Sequence, residues 1–242
     1  MTDIGQRILN ETNLLIDDKP HFFKGLLRDP QELLTWQDVE DCMNNPHFYK
    51  FEMIDQYNNK TYIPESRKAW MWETLVQDKE FMFEKLHQGH SVIIMNYGFH
   101  NKKTTELLKI FESMFNINAA IHVYGGLTGS KSFTIHDDYP ANFVIQIEGK
   151  TRWKIFNNRI SYLYKTGTMN GRLDEKDLTV AIDVVLEPGD ALYFPSRMYH
   201  VAYPDEKRLS ISIPCWNKFA TDPPNYNIDR NFYRINHDIQ PR

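Results

Sequence analysis

The stretch FTIHDDYPANFVIQIEGKTRWKIF, residues 133–156, governs how the rest of the chain is read. It opens on a histidine and two aspartates, passes a Tyr-Pro turn and continues as a nearly unbroken apolar run with strand character. On a strand, residues two apart share a face. His136 and Asp138 therefore point one way and Asp137 the other. Two such groups on one face make a candidate metal site; the alternative is a polar surface turn.

Downstream of residue 117 the apolar period stays at two. NAAIHVYGG, SFTIH, NFVIQIEG, TRWKIF, AIDVVLEPGD, ALYFPS, HVAYP and RLSISIPCW are short segments rich in β-branched and aromatic residues, most of them separated by Gly, Pro, Asn or Asp. Eight such strands in about 100 residues predict a double-sheet jelly roll, a cupin-like double-stranded β-helix. Residues 157–180 are less regular and read as an insertion over one mouth of the roll. Residues 217–242 read as a tail that wraps it or covers it.

Upstream the pattern is mainly helical. Residues 29–44 carry Leu33, Leu34, Trp36, Val39 and Met43 at helical spacing. Residues 68–89 read as one long amphipathic helix stopped by Gly89. Residues 101–116 read as a third helix with Leu107, Leu108, Phe111 and Phe115 inward, and HSVIIMNYGF between the two as a strand. The predicted class is mainly β with flanking helices. A mostly helical N-terminal region (1–116) packs on the β-helix core (117–216), followed by the tail (217–242), all as one folded unit.

Composition narrows the function classes. With 41% hydrophobic and 25% charged residues, the chain has ordinary globular composition. A net charge of −4 gives no global pull toward nucleic acid or an anionic membrane. No apolar run approaches the roughly 20 residues that span a bilayer, and the first residues show no basic-then-apolar secretory pattern. Cys42 and Cys215 make neither a disulfide framework nor a zinc cluster, so a reducing, cytoplasmic setting is expected.

A His-x-acid pair alone is a weak signal. It gains weight from His200, which lies 62 positions beyond Asp138 and just after LEPGDALYFPSRMY. That segment reads as strand, Pro-Gly-Asp turn, strand and loop, a path that crosses the roll and returns to the same mouth. Two imidazoles and one carboxylate form the facial triad that suits Fe(II) and leaves positions open for a cosubstrate and O2.

HVYGGLTGSKSFTIHDDYPANFVIQIEGKTRWKIF followed by VVLEPGDALYFPSRMYHVAYPDEKRLSISIPCW resembles the JmjC and cupin-type 2-oxoglutarate oxygenases, most closely their ribosomal-oxygenase and asparaginyl-hydroxylase branches. The likeness covers roughly residues 19–216. It implies a hydroxylase with Fe(II) held by His136, Asp138 and His200, 2-oxoglutarate as cosubstrate, and O2. The implied substrate is a protein side chain. The alternatives are the same chemistry on a small molecule, or a cupin-type metal-binding module without turnover.

One departure bears on the cosubstrate. These families place a lysine or arginine two residues after the glycine matching Gly149, to hold the distal carboxylate of 2-oxoglutarate; here that residue is Thr151. Lys150 and Arg152 flank it on the opposite strand face. Arg208, with Ser210 pointing the same way, resembles an Arg-x-Ser pair that does this work in another branch, and a guanidinium fork matches a carboxylate. Its alternative is a solvated arginine after the PDEK turn. By the same resemblance Tyr124 and Asn142 contact the cosubstrate. His122 shares a face with Tyr124, though for His122 a single structural hydrogen bond is the preferred account.

Overall fold

The computed structural model describes residues 2–12, 19–69, 73–115, 117–159 and 173–217. The N-terminal part runs α1 (Thr2–Glu11), β1 (His21–Phe23), α2 (Trp36–Asn44), β2 (Lys50–Ile54), β3 (Lys60–Thr61), β4 (Glu65–Ala69), β5 (Glu73–Gln77), α3 (Lys79–His87), β6 (Ser91–Met95) and α4 (Lys102–Phe115). Among the described residues, the regular elements of the second part are strands and one 3-10 turn: β7 (Ile117–Ala119), β8 (His122–Gly126), β9 (His136–Asp137), β10 (Ala141–Glu148), β11 (Thr151–Arg159), β12 (Val180–Leu186), β13 (Ala191–Phe194), β14 (Met198–Pro204) and β15 (Arg208–Asn217).

Two antiparallel sheets form the roll. The larger has the order β1-β13-β10-β15-β8-β6-β2-β3, with β7 also paired to β15, and the smaller β12-β11-β14-β9. The predicted double-stranded β-helix is therefore present. The N-terminal part is less helical than expected, because β1, β2, β3 and β6 extend the larger sheet on both sides of the roll.

The largest difference is at 68–89. Glu65–Ala69 and Glu73–Gln77 pair as an antiparallel ribbon, with Arg67 opposite Leu75, and the helix begins only at Lys79. Local chemistry explains the break. Asp78 caps the helix by accepting the Phe81 N–H, and Thr74 and Val76 are β-branched residues that favour a strand. Gln77 then pins the ribbon to β2, its amide bonding both the N–H and the C=O of Phe51 at 2.7 and 2.9 Å. The predicted helix at 29–44 is likewise shorter. A capping box between Thr35 and Asp38 starts it at Trp36, after a separate 3-10 turn at Pro30–Glu32.

Alternation along the larger sheet decides where the site sits. Phe143, Ile145 and Ile147 on β10, Leu209, Ile211 and Ile213 on β15, and Val123 on β8 all face the helices in one apolar core. Their neighbours face the smaller sheet, where Val144, Leu192 and Phe194 pack on Ile155, Leu186 and Met198. Full burial of each such side chain contributes roughly 1.5–3 kcal/mol. Polar residues on this inner face have no water around them unless the two sheets leave a cavity. Arg208, Ser210, Ser212 and Tyr124 all lie on it.

Gly149, at the β10–β11 turn, has φ +67, and a Cβ there would stand 2.1 Å from the Lys207 carbonyl oxygen. Only glycine fits that turn. Within the predicted insertion, residues 173–180 return along the smaller sheet, Leu173 and Leu178 packing beside Ile135, Phe156 and Tyr199. Residues 160–172 of the predicted insertion and the predicted tail beyond Asn217 lie outside the described residues.

Candidate metal centre and cavity

The β9–β14 register sets His136 directly opposite His200, so two residues far apart in sequence become cross-strand neighbours with ring centroids 4.3 Å apart. Asp138 follows β9 at once. The ligand atoms of His136, Asp138 and His200 all lie within 4.8 Å of one another, the only such histidine, cysteine and carboxylate cluster among the described residues.

The backbone presents these imidazoles for metal binding. His136 Nδ1 sits 2.7 Å from the Thr134 carbonyl and His200 Nδ1 2.9 Å from the Met198 carbonyl. A carbonyl can only accept, so each Nδ1 carries the proton and each Nε2 keeps a free lone pair. Both Nε2 atoms turn toward the carboxylate, His136 at 4.0 Å from Asp138 Oδ1 and His200 at 3.5 Å from Oδ2.

Ionisation agrees with that arrangement. Burial, then the neighbouring His200, pushes the His136 imidazolium down to about 4, against the pull of Asp138. Burial alone would raise the Asp138 carboxyl. The neighbouring His200, then His136 and His122, outweigh it and hold the group at about 2. At neutral pH His136 is therefore a neutral imidazole and Asp138 a carboxylate.

Asp137 points away, as strand alternation required. Its carboxylate is buried against Arg197, Oδ2 to Nε 2.9 Å. Asn142 donates from Nδ2 to Asp138 Oδ2 at 2.9 Å and accepts from the Ser212 hydroxyl at 3.2 Å. It thus stands behind Asp138 with both ends of its amide engaged. His122 Nδ1 accepts the Asn96 N–H at 3.1 Å, which is the single structural bond preferred for it, and the residue does not line the cavity.

From the triad a cavity of about 520 Å³, counted to its open mouth, runs between the sheets. Phe133, Val144, Trp153 and Phe194 make its apolar walls, and Trp153 and Phe194 also flank the His200 ring. Tyr124, Thr151, Arg208, Ser210 and Ser212 give it polar groups.

Arg208 is 3% exposed. Its Nη2 lies 3.4 Å from the Ser91 hydroxyl, and its Nη1 has no hydrogen-bond partner. Among the described residues no carboxylate pairs with it. Burial lowers its pKa to about 10, with Tyr124 opposing, so it stays charged. Thr151 Oγ1, also buried and in the same cavity, has no partner either. Lys150 and Arg152 are on the outer face, paired with Glu187 and Asp183. A buried guanidinium that faces a cavity, with no counter-ion among the described residues, has the charge and geometry to receive a carboxylate.

The model of the JmjC domain matches residues 95–222. The chain belongs to the JmjC domain family. Among curated relatives, it is 32% identical over 127 residues to the bifunctional lysine-specific demethylase and histidyl-hydroxylase NO66 of Drosophila erecta, which covers 52% of this chain and 19% of that protein. It is 31% identical over 134 residues to ribosomal oxygenase 1 of Danio rerio, covering 54% of this chain and 24% of that one. The chain thus spans about a fifth to a quarter of the length of these relatives. The fold is shared with the Escherichia coli ribosomal oxygenase YcfD solved with cobalt and 2-oxoglutarate, at a TM-score of 0.56 and 18% identity over 93% of this chain and 57% of that one.

Reading the sequence alone missed three contributors. Ser212 continues the two-residue spacing of Arg208 and Ser210, so extending the alternation by one step would have found it. Ser91 supports Arg208 from β6, across β8, and has no sequence signal. Arg197 reads as a turn arginine, and nothing local reveals that it is fully buried.

Proposed function

We propose that this JmjC chain is an Fe(II)- and 2-oxoglutarate-dependent oxygenase that hydroxylates a C–H bond, with a protein side chain as substrate. The observation that carries the reading is the pairing of the triad with a buried, counter-ion-free guanidinium along one cavity. A metal-binding module without turnover has no use for that unpaired charge, whose burial is costly. His136, Asp138 and His200 would hold the metal through two Nε2 atoms and a carboxylate, with Asn142 fixing the orientation of Asp138. Arg208, aided by Ser210 and Thr151, would bind the distal carboxylate of 2-oxoglutarate. Fe(II), 2-oxoglutarate and O2 together supply the oxidising chemistry that inserts oxygen into the C–H bond and releases succinate and CO2.

The remaining residues orient and exclude. The backbone carbonyls of Thr134 and Met198 hold each imidazole proton on Nδ1, so neither ring flips its donor away from the metal. Phe133, Val144, Trp153 and Phe194 keep water off the space between triad and guanidinium. A protein side chain is favoured over a small molecule by the named activities of the relatives, histidyl hydroxylation and ribosomal oxygenation.

Succinate release from 2-oxoglutarate by the Fe(II)-loaded protein, absent in His200→Ala, tests the chemistry. A pull-down with His200→Ala, followed by a search for a mass gain of one oxygen after active enzyme is added, tests the substrate class. Succinate formed without any oxygenated protein would turn the reading toward a small molecule. No succinate from a metal-loaded, folded protein would leave only the binding module.

A further inference from the structure

On the opposite face of β9 from the cavity lies a buried ion pair that the proposed reaction does not use. Asp137 and Arg197 meet with Nε and Oδ2 2.9 Å apart, their side chains 1% and 0% exposed. Neither lines the cavity. What distinguishes the pair is its connections.

Three successive residues of the ligand segment hold Arg197. Asp137 pairs with its guanidinium, the Tyr139 ring lies 5.8 Å from it, and the carbonyl of Asp138 itself accepts the Arg197 backbone N–H at 2.8 Å. Next to it the Ser196 hydroxyl donates to the Tyr139 carbonyl. On the other side, the Met198 carbonyl receives the Nδ1 proton of His200. The turn at residues 195–198 is therefore tied both to the segment that carries His136 and Asp138 and to the ring of His200. Arg197 has φ +66, in the left-handed region that non-glycine residues rarely adopt, and these contacts hold it there.

Stability alone does not account for such a pair. The desolvation cost of two buried charges about cancels their attraction, and apolar side chains of similar volume often serve a fold as well or better. The pair is a close charge contact, and direction comes from the bonds beside it, from the Arg197 N–H to the Asp138 carbonyl and from the Ser196 hydroxyl to the Tyr139 carbonyl.

We infer that Asp137 and Arg197 form a positioning clamp that sets Asp138 against His136 and His200 and so tunes the metal centre from behind. This rests on the metal-binding reading above. Both are positioning residues, because neither reaches the metal or the cavity.

The test is a Co(II) titration of the full chain, followed by the visible d–d spectrum, beside thermal melting of the metal-free protein. The key variant is Asp137→Leu/Arg197→Met, which replaces the pair by apolar groups and leaves no buried charge unpaired. It is expected to melt close to the parent protein while binding Co(II) about 10- to 100-fold more weakly, the usual effect of losing an outer-shell partner, with a shifted d–d spectrum. A folded double variant with unchanged affinity and spectrum would overturn the clamp. Should that variant fail to fold, Asp137→Asn decides, since it keeps the size but drops the charge. Weaker Co(II) binding supports the clamp, and unchanged binding overturns it. Failure of both to fold also overturns it, because the pair would then serve the fold and not the site. A parent protein that binds no Co(II) would instead sink the metal reading itself.

Discussion

At the metal end of the cavity the polar groups are already engaged. Each imidazole gives its Nδ1 proton to a backbone carbonyl, Asp138 accepts from Asn142, and Asn142 accepts from Ser212. At the other end Arg208 Nη1 and Thr151 Oγ1 have no partner among the described residues. The first end is preorganised by the protein, so its geometry survives whether or not anything binds. The second end keeps polar groups unmet among the described residues, and a molecule entering the cavity can satisfy them. Substitutions should therefore act differently at the two ends, through metal affinity at one and through cosubstrate affinity at the other.

The largest effects belong to the triad. His200→Ala, His136→Ala or Asp138→Ala should each abolish stoichiometric metal binding and all succinate formation, while far-UV circular dichroism keeps the β-rich spectrum. Metal analysis after gel filtration checks this. A variant that kept a full metal complement would remove its residue from the ligand set. Asp137→Ala is a poor control here, because it removes the carboxylate from a buried ion pair, a change that typically costs about 3–5 kcal/mol.

Next comes Arg208. Charge-assisted hydrogen bonds contribute about 1.5–3 kcal/mol, so Arg208→Met should raise the KM for 2-oxoglutarate roughly 10- to 100-fold and leave metal affinity near the parent value. Melting of the ligand-free protein should not fall, since the substitution removes a buried charge that no carboxylate balances among the described residues. Adding Thr151→Lys should recover part of the affinity, because residue 151 faces the same cavity. An unchanged KM in Arg208→Met would mean that another cation holds the carboxylate.

The contrast between the two ends also shows what the sequence could reveal. The triad was legible because strand alternation selects Asp138 over Asp137 and because His200 follows a strand-turn-strand path of the right shape. The anion end was legible only in part. Arg208 and Ser210 share a face by simple alternation, but Ser91 reaches Arg208 from β6 through sheet order, which no local pattern encodes. In the fold, the period of two held along the described strands of residues 117–159 and 180–217, whereas residues 68–77 looked helical by spacing. There the decision lay with the Asp78 cap and the tertiary bonds of Gln77 to Phe51.

Asn142 should give a smaller effect and one of metal-end character. Its amide holds Asp138 Oδ2, so Asn142→Ala frees the carboxylate to rotate and should weaken Co(II) binding about 10-fold. The KM for 2-oxoglutarate, measured at saturating metal, should move less than in Arg208→Met. The reverse order would make Asn142 a cosubstrate contact, which is the role its sequence position resembles.

The smallest effect is expected at Thr151. Its hydroxyl carries no charge, and a neutral hydrogen bond contributes a net of about 0.5–1.5 kcal/mol, of which an oxygen shared with an arginine and Ser210 should supply the lower part. Thr151→Val keeps the shape and removes only the hydroxyl. It should raise the KM for 2-oxoglutarate by about 2-fold and leave metal binding unchanged. Because Oγ1 is buried without a partner in the ligand-free protein, melting should stay the same or rise slightly. The comparison with Arg208→Met is what gives this weak effect its use. If binding at this end is driven by charge, the two variants should differ by about an order of magnitude. If they lose affinity equally, the hydroxyl is the anchor and the guanidinium only shapes the pocket, and the unmet groups of the far end would have to be assigned anew.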